Sequence, residues 1–146
     1  MIRHMEPHRA LMMKALKDIF VPELRSRGFS GTFPHFRRIT SDHVDYLTFQ
    51  FLSSGGSFVV EVAKSDLAGN LAMGRGADLP VSKLNAQFFS ERLRLGGEGP
   101  VEDWFVFGPR SYDPPMPERA PSFYAGIASR LVHLLDTQAE EWWRAR

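Results

Sequence analysis

Two turn signals constrain this chain more than any other feature. Ser41-Asp42 and Ser53-Ser54-Gly55-Gly56 punctuate a stretch that otherwise alternates and is rich in Phe, Tyr, Thr and Val. Such spacing predicts two consecutive β-hairpins, with strands over 32–40, 43–52 and from 57 onward. If Ser41-Asp42 is a two-residue loop, Thr40 pairs with His43, Arg38 with Asp45, Arg37 with Tyr46, Phe36 with Leu47 and His35 with Thr48. If Leu52 stands opposite Ser57, Phe51 faces Phe58, Gln50 faces Val59, Phe49 faces Val60, Thr48 faces Glu61 and Leu47 faces Val62. These registers separate two faces. One carries Phe36, Leu47, Phe49, Phe51, Phe58, Val60 and Val62; the other carries His35, Arg37, Tyr46, Thr48, Gln50 and Glu61. A slip of one residue would exchange the faces of a strand, so the clean separation supports the register. Arg38 is the misfit on the apolar face, with Asp45 opposite it.

Helical patterns flank the hairpins. In 9–27, Leu11, Ala15 and Ile19 form one row and Met12, Leu16 and Phe20 the next, together one apolar stripe. Pro22 predicts a kink or restart. The basic Arg25 and Arg27, then Gly28 and apolar Phe29, read as a helix stop. Residues 66–87 lose periodicity and contain Gly69, Gly74, Gly76 and Pro80; a short helix near Ser82–Phe88, capped by Ser82, would shorten this loop. Alternation returns at 90–95, sending Leu93 and Leu95 to the core and Arg92 and Arg94 to the polar face. After a loop at Gly96-Gly97-Glu98-Gly99-Pro100, Trp104-Phe105-Val106-Phe107 reads as a short buried strand. Residues 109–121 form a Pro-rich connector. A last helix runs from Pro121 to about Arg144, roughly 36 Å at the standard rise. Its stripe is Ile127, Leu131, Leu134, Leu135 and Trp142, which places Trp142 at the end of the core and leaves Trp143 partly exposed.

The expected fold is therefore two-layer α+β, in the order α-β-β-β-β-β-α. An antiparallel sheet of about five strands is packed on one face by an N-terminal and a C-terminal helix. One domain spans 1–146, with a tail at 1–8. Apolar residues make up 43% of the chain and the net charge is +1, which excludes a disordered polymer.

Several chemistries are absent. With no cysteine there is no disulfide scaffold, thiol nucleophile or thiolate metal site. His4 and His8 are four apart, but the zincin order of residues is missing, so no metal is expected. Gly28-Phe29-Ser30-Gly31 has neither the spacing nor the strand context of a nucleophile elbow. Gly74-Arg75-Gly76 lacks the third glycine of a dinucleotide fingerprint, and there is no P-loop, so no cofactor is expected. Glu102-Asp103 and Glu140-Glu141 are read as structural. Basic residues form no dense stripe, which argues against nucleic acid. No apolar run reaches membrane-spanning length, and the first residues lack a signal-peptide core, so the expected location is the cytoplasm.

What remains is the polar sheet face. Arg37, Arg92 and Arg94 with Gln50, Glu61, His35 and Tyr46 would suit a carboxylate, a phosphate or an acidic protein partner, because guanidinium pairs bidentately with planar oxyanions. This predicts a non-catalytic binding or interaction protein, with the 66–87 loop as a rim. Neutralising a toxin is one version of that role, by analogy of size alone. The competing readings are a solvated face with cross-strand ion pairs such as Glu61 with an Arg, a small enzyme with Glu61 or His35 as base and the arginines as an oxyanion clamp, and a homodimer formed through a sheet edge or Trp143.

A further pattern lies in the order of Phe20-Val21-Pro22-Glu23-Leu24-Arg25-Ser26-Arg27-Gly28-Phe29, Phe36-Arg37-Arg38, Phe49-Gln50, Phe58-Val59-Val60-Glu61, Arg92-Leu93-Arg94-Leu95-Gly96 and Asp103-Trp104-Phe105. Over roughly 10–140 the chain resembles the bacterial domain-of-unknown-function 4304 family. The resemblance implies a small α+β domain with no assigned activity and no catalytic residues to carry over.

Overall fold

A computed structural model describes residues 6–96 and 103–146. The expectations for His4, for the loop at Gly97-Glu98-Gly99-Pro100, for Glu102 and for the first five residues of the tail lie outside the described residues.

Six antiparallel strands form an open sheet in the order β1 (Ser30–Thr32), β2 (His35–Ile39), β3 (His43–Phe51), β4 (Ser57–Asp66) and β5 (Leu93–Arg94), with β6 (Phe105–Val106) also pairing β4. Both hairpin registers hold. Arg38 pairs with Asp45 and Phe36 with Leu47, while Phe49 pairs with Val60 and Thr48 with Glu61. The run expected as one strand over 32–40 is instead two. Pro34, joined to Phe33 by a cis peptide bond, lies in the turn between them, where its missing N–H is not needed for a ladder. Gly31 has φ +103° and faces Phe36, and an added Cβ would lie 2.5 Å from the His35 carbonyl oxygen. Glycine therefore permits the close approach of β1 to β2. Arg25 donates from Nη2 to the Gly31 carbonyl at 2.6 Å and from Nη1 to that of Phe29 at 3.4 Å.

Two long helical stretches cover one sheet face. The first is α1 (Pro7–Ala15), a π-helical turn at Leu16–Phe20, and α2 (Val21–Ser26). The widened turn, in which the Val21 N–H reaches the Leu16 carbonyl, answers the expected kink. Proline removes one helical donor and crowds the carbonyl four residues before it, and the π turn immediately precedes Pro22. The tail expected over 1–8 ends earlier than that. Glu6 caps α1 by accepting from the His8 and Arg9 amides, and His8 is buried. Its ring stands between the Met116 carbonyl, 3.0 Å from Nε2, and the Tyr124 hydroxyl, 3.4 Å from Nδ1. The Pro-rich connector is thereby held against α1.

The second stretch is α3 (Pro121–Leu134), a π-helical turn at Leu135–Ala139, and α4 (Glu140–Ala145). Here the uninterrupted helical phase misplaces the tryptophans. One extra residue in the turn rotates everything after it by about 100°. Trp143 is consequently the buried one, and Trp142 is half-buried. Trp143 donates from Nε1 to the Ala63 carbonyl at 2.9 Å and packs on Phe29. The helix layer closes over Phe36, Leu47, Phe49, Phe58, Val60 and Val62.

Arg38, the misfit on this face, links the two layers. It meets Asp45 at 2.9 Å and Glu140 at 2.6 Å, with its guanidinium over the rings of Phe29 and Trp143. Burial pushes the Glu140 carboxyl up, but hydrogen bonds and charge from Arg38 and Arg27 more than reverse this and leave it below the ordinary value.

The tryptophan assignment is checked by stability. Trp143→Ala is expected to cost about 3–5 kcal/mol. Trp142→Ala is expected to cost about 1 kcal/mol. Urea unfolding followed by far-ultraviolet circular dichroism reads both, and equal costs would refute the rotated phase.

Candidate functional site

The second sheet face is not open across its middle. Val44, Tyr46 and Ala63 are fully buried there under Leu84, Ala86 and Phe89. The segment expected as a rim over 66–87 is a cover. It is built from three short 3-10 turns, Gly74–Asp78, Val81–Lys83 and Ala86–Phe88, and no α-helix forms near Ser82–Phe88. The cap in this segment is Asn85, whose side chain accepts from the Gln87 amide, and not Ser82, which lies inside a turn. Ala72 bridges to Phe89 and anchors the cover at one end. At the other, the Ala86 amide donates to Thr48 Oγ1 at 3.1 Å.

This cover divides the predicted site residues into separate groups. Glu61, Arg92 and Arg94 meet as an ion cluster. Glu61 is 2% exposed, with Oε2 2.9 Å from Arg92 Nε and 3.4 Å from Arg94 Nε. Arg92 also donates from Nη1 to the Gln87 and Phe89 carbonyls. Arg94 extends toward Asp103 at 3.7 Å and over the Trp104 ring. The pairing of Glu61 with Arg94 across β4 and β5 places the charges together. The cluster therefore ties the cover and the short β5 to the long β4. Tyr46 is sealed in, its hydroxyl 2.9 Å from Ser65 Oγ, which itself donates to the Asp66 carbonyl. Burial raises the Tyr46 phenol above its ordinary value, so it stays neutral. Gln50 is exposed near the end of β3.

His35 and Arg37 stay together at the other margin of the cover. They line a cleft of about 400 Å³ with Gly31, Ser82, Lys83 and Asn85. Alternate residues of β2 point to one face, which is why both reach the cleft. The lining includes two cations and no acid. Among the described residues, Arg37 Nε is shut from solvent with no hydrogen-bond acceptor. His35 Nδ1 lies 3.5 Å from Thr48 Oγ1, and burial lowers its pKa, favouring the neutral ring. Lys83, Ser82 and Asn85 were not legible as site residues, because only the folded cover brings them to β2.

A larger cavity of about 840 Å³ lies at the end of the sheet where β2 turns into β3. His43, Lys64, Phe89, Glu91, Trp142 and Arg146 are among its lining residues. None of the seven predicted site residues is on it. Among the described residues no group of three or more His, Asp or Glu side chains could hold a metal ion, and no helix is long and apolar enough to cross a membrane.

The family model described as Domain of unknown function (DUF4304) matches residues 20–145. No curated protein and no solved structure matches the chain significantly.

Two outcomes test this geometry. Arg92→Ala with Arg94→Ala leaves Glu61 buried without its cations and is expected to cost about 3 kcal/mol; adding Glu61→Leu restores most of that in urea unfolding. His35 has a folded pKa below its unfolded one, so its contribution to stability is present above 6.5 and is lost as pH falls through the lowered value. His35→Gln is therefore expected to flatten the fall of the urea midpoint between neutral pH and about pH 5, against the wild type.

Proposed function

We propose that this chain, which belongs to the family described as Domain of unknown function (DUF4304), is a non-catalytic binding domain that takes an anionic group in the Arg37 cleft. The observation that carries this reading is a cavity lined by Arg37 and Lys83 with no acid among its lining residues. A planar oxyanion in the cleft would accept hydrogen bonds from the terminal nitrogens of the Arg37 guanidinium and balance its charge. Asn85, Ser82 and the neutral His35 ring add polar contacts that orient without competing in charge. The anion is either a free carboxylate or phosphate or the acidic side chain of a protein partner, since the cleft opens to the surface.

The binding reading is also supported by the engagement of one of the two candidate bases, Glu61, while the other, His35, lines the Arg37 cleft. Glu61 lies under Arg92 and Arg94 and lines neither cavity. A general base must reach the proton it removes. In this reading the protein acts in the bacterial cytoplasm, and Arg92 and Arg94 serve the fold while Arg37 serves the ligand.

Calorimetric titration with inorganic phosphate tests the assignment. The wild type is expected to bind. Arg37→Gln is expected to lose about 1.5–3 kcal/mol, the worth of a hydrogen bond to a charged group. Arg92→Ala is expected to leave phosphate binding unchanged. No binding by the wild type, or equal binding by Arg37→Gln, overturns the proposal.

A further inference from the structure

The 840 Å³ cavity at the end of the sheet plays no part in the anion reading. Its size falls in the range of small-molecule sites. Its wall is apolar and aromatic along Ala72, Met73, Phe89 and Trp142, while Asp42, Asp66 and Glu91 add exposed acids. Lys64 does not offset them freely, because its Nζ is tied to the Trp143 and Arg146 carbonyls at 2.8 and 2.6 Å.

One guanidinium already occupies this cavity. Arg146 lies with its guanidinium 4.4 Å from the centroid of the Trp142 ring, and its Nε is 2.9 Å from Glu91 Oε1. An aromatic face and a carboxylate at right reach are the two elements that recognise a planar cation. The grip is weak, because the Arg146 and Glu91 side chains are 42% and 67% exposed and exposed ion pairs contribute little. Arg146 also follows the end of α4, so its side chain can leave without unwinding a helix.

The cavity lip supplies an independent observation. Leu71 is 77% exposed and held at φ +78°. Asp66 fixes this turn by accepting from the Ala68 and Asn70 amides, and the Ala72–Phe89 bridge fixes its far side. A branched side chain held in the left-handed region and pushed into water carries both strain and exposed apolar area, and such positions gather at ligand clamps.

We infer that this cavity binds a small molecule carrying a guanidinium or amidinium on an apolar body, with Arg146 as its resting internal occupant. The cation of the ligand takes the place of Arg146 between Trp142 and Glu91. Its apolar body lies against Phe89 and Met73, and Leu71 closes over it.

Calorimetry with benzamidine, against its uncharged isostere benzamide, tests this. Wild type is expected to bind benzamidine and not benzamide. Arg146→Ala removes the internal competitor and is expected to tighten binding by about two- to threefold, as for a competitor that holds the site half to two-thirds of the time. Glu91→Gln placed on Arg146→Ala is expected to abolish the gain. Arg37→Gln is expected to change nothing, which separates this site from the anion cleft. Three results would overturn the inference: no benzamidine bound by Arg146→Ala, benzamide bound as well as benzamidine, or no tightening in Arg146→Ala.

Discussion

The β3–β4 ladder is apolar on both of its faces, and everything else in the molecule answers to that. The pairing runs from His43 against Asp66 to Phe51 against Phe58. One face presents Leu47, Phe49, Phe58, Val60 and Val62; the other presents Val44, Tyr46, Val59 and Ala63, all essentially without exposure. Two such strands need covering layers on both sides. Helices supply one layer, through a stripe of Met12, Leu16, Phe20 and Leu24 joined by Leu131, Leu135 and Trp143. The other is supplied by chain with no long helix or strand, pinned by the Thr48, Glu61 and Ala72 contacts described above. The site follows from this second cover, because the clefts are the margins that it leaves uncovered.

The difference between these two covers is also the difference between what was legible and what was not. Strand registers and the helix face could be read because period-2 and period-3.6 patterns leave regular traces in a sequence. Arg38 opposite Asp45 was visible from the register, although its second partner, Glu140, comes from a helix more than a hundred residues later. The cover carries Leu79, Val81, Leu84, Ala86, Phe88 and Phe89 with no single period, since 3-10 turns change direction every few residues. That apolar cluster was the available signal. The Trp142 and Trp143 positions were misread for a related reason: a π turn inserts one residue without any residue type that announces it.

The candidate site was legible in part. Alternation alone brought His35 and Arg37 to one face, and Glu61 with Arg92 and Arg94 to a neighbouring part of it. Whether a cation is paired or free depends on neighbours far away in the chain. Arg92 meets Glu61 and two carbonyls of the cover, whereas Arg37 meets no acceptor at Nε. The two arginines look alike in sequence and differ in chemistry only after the cover is placed. The cavity beside Trp142 draws on the β2–β3 turn, the end of β4, two parts of the cover and the end of α4, a set with no common motif.

The cover has a kinetic consequence as well. Its turns rest on a small number of local hydrogen bonds, whereas the β3–β4 amides lie inside a continuous ladder beneath two helices. Segments with few regular hydrogen bonds open in sub-global steps of lower free energy than the core. Backbone amides of the cover should therefore exchange with solvent deuterium well before those of β3 and β4. Two cooperative units of unequal rank are expected: a helix-backed ladder that opens only with the whole molecule, and a detachable second layer whose departure would bare Tyr46 and Val44 while leaving the aromatic core intact.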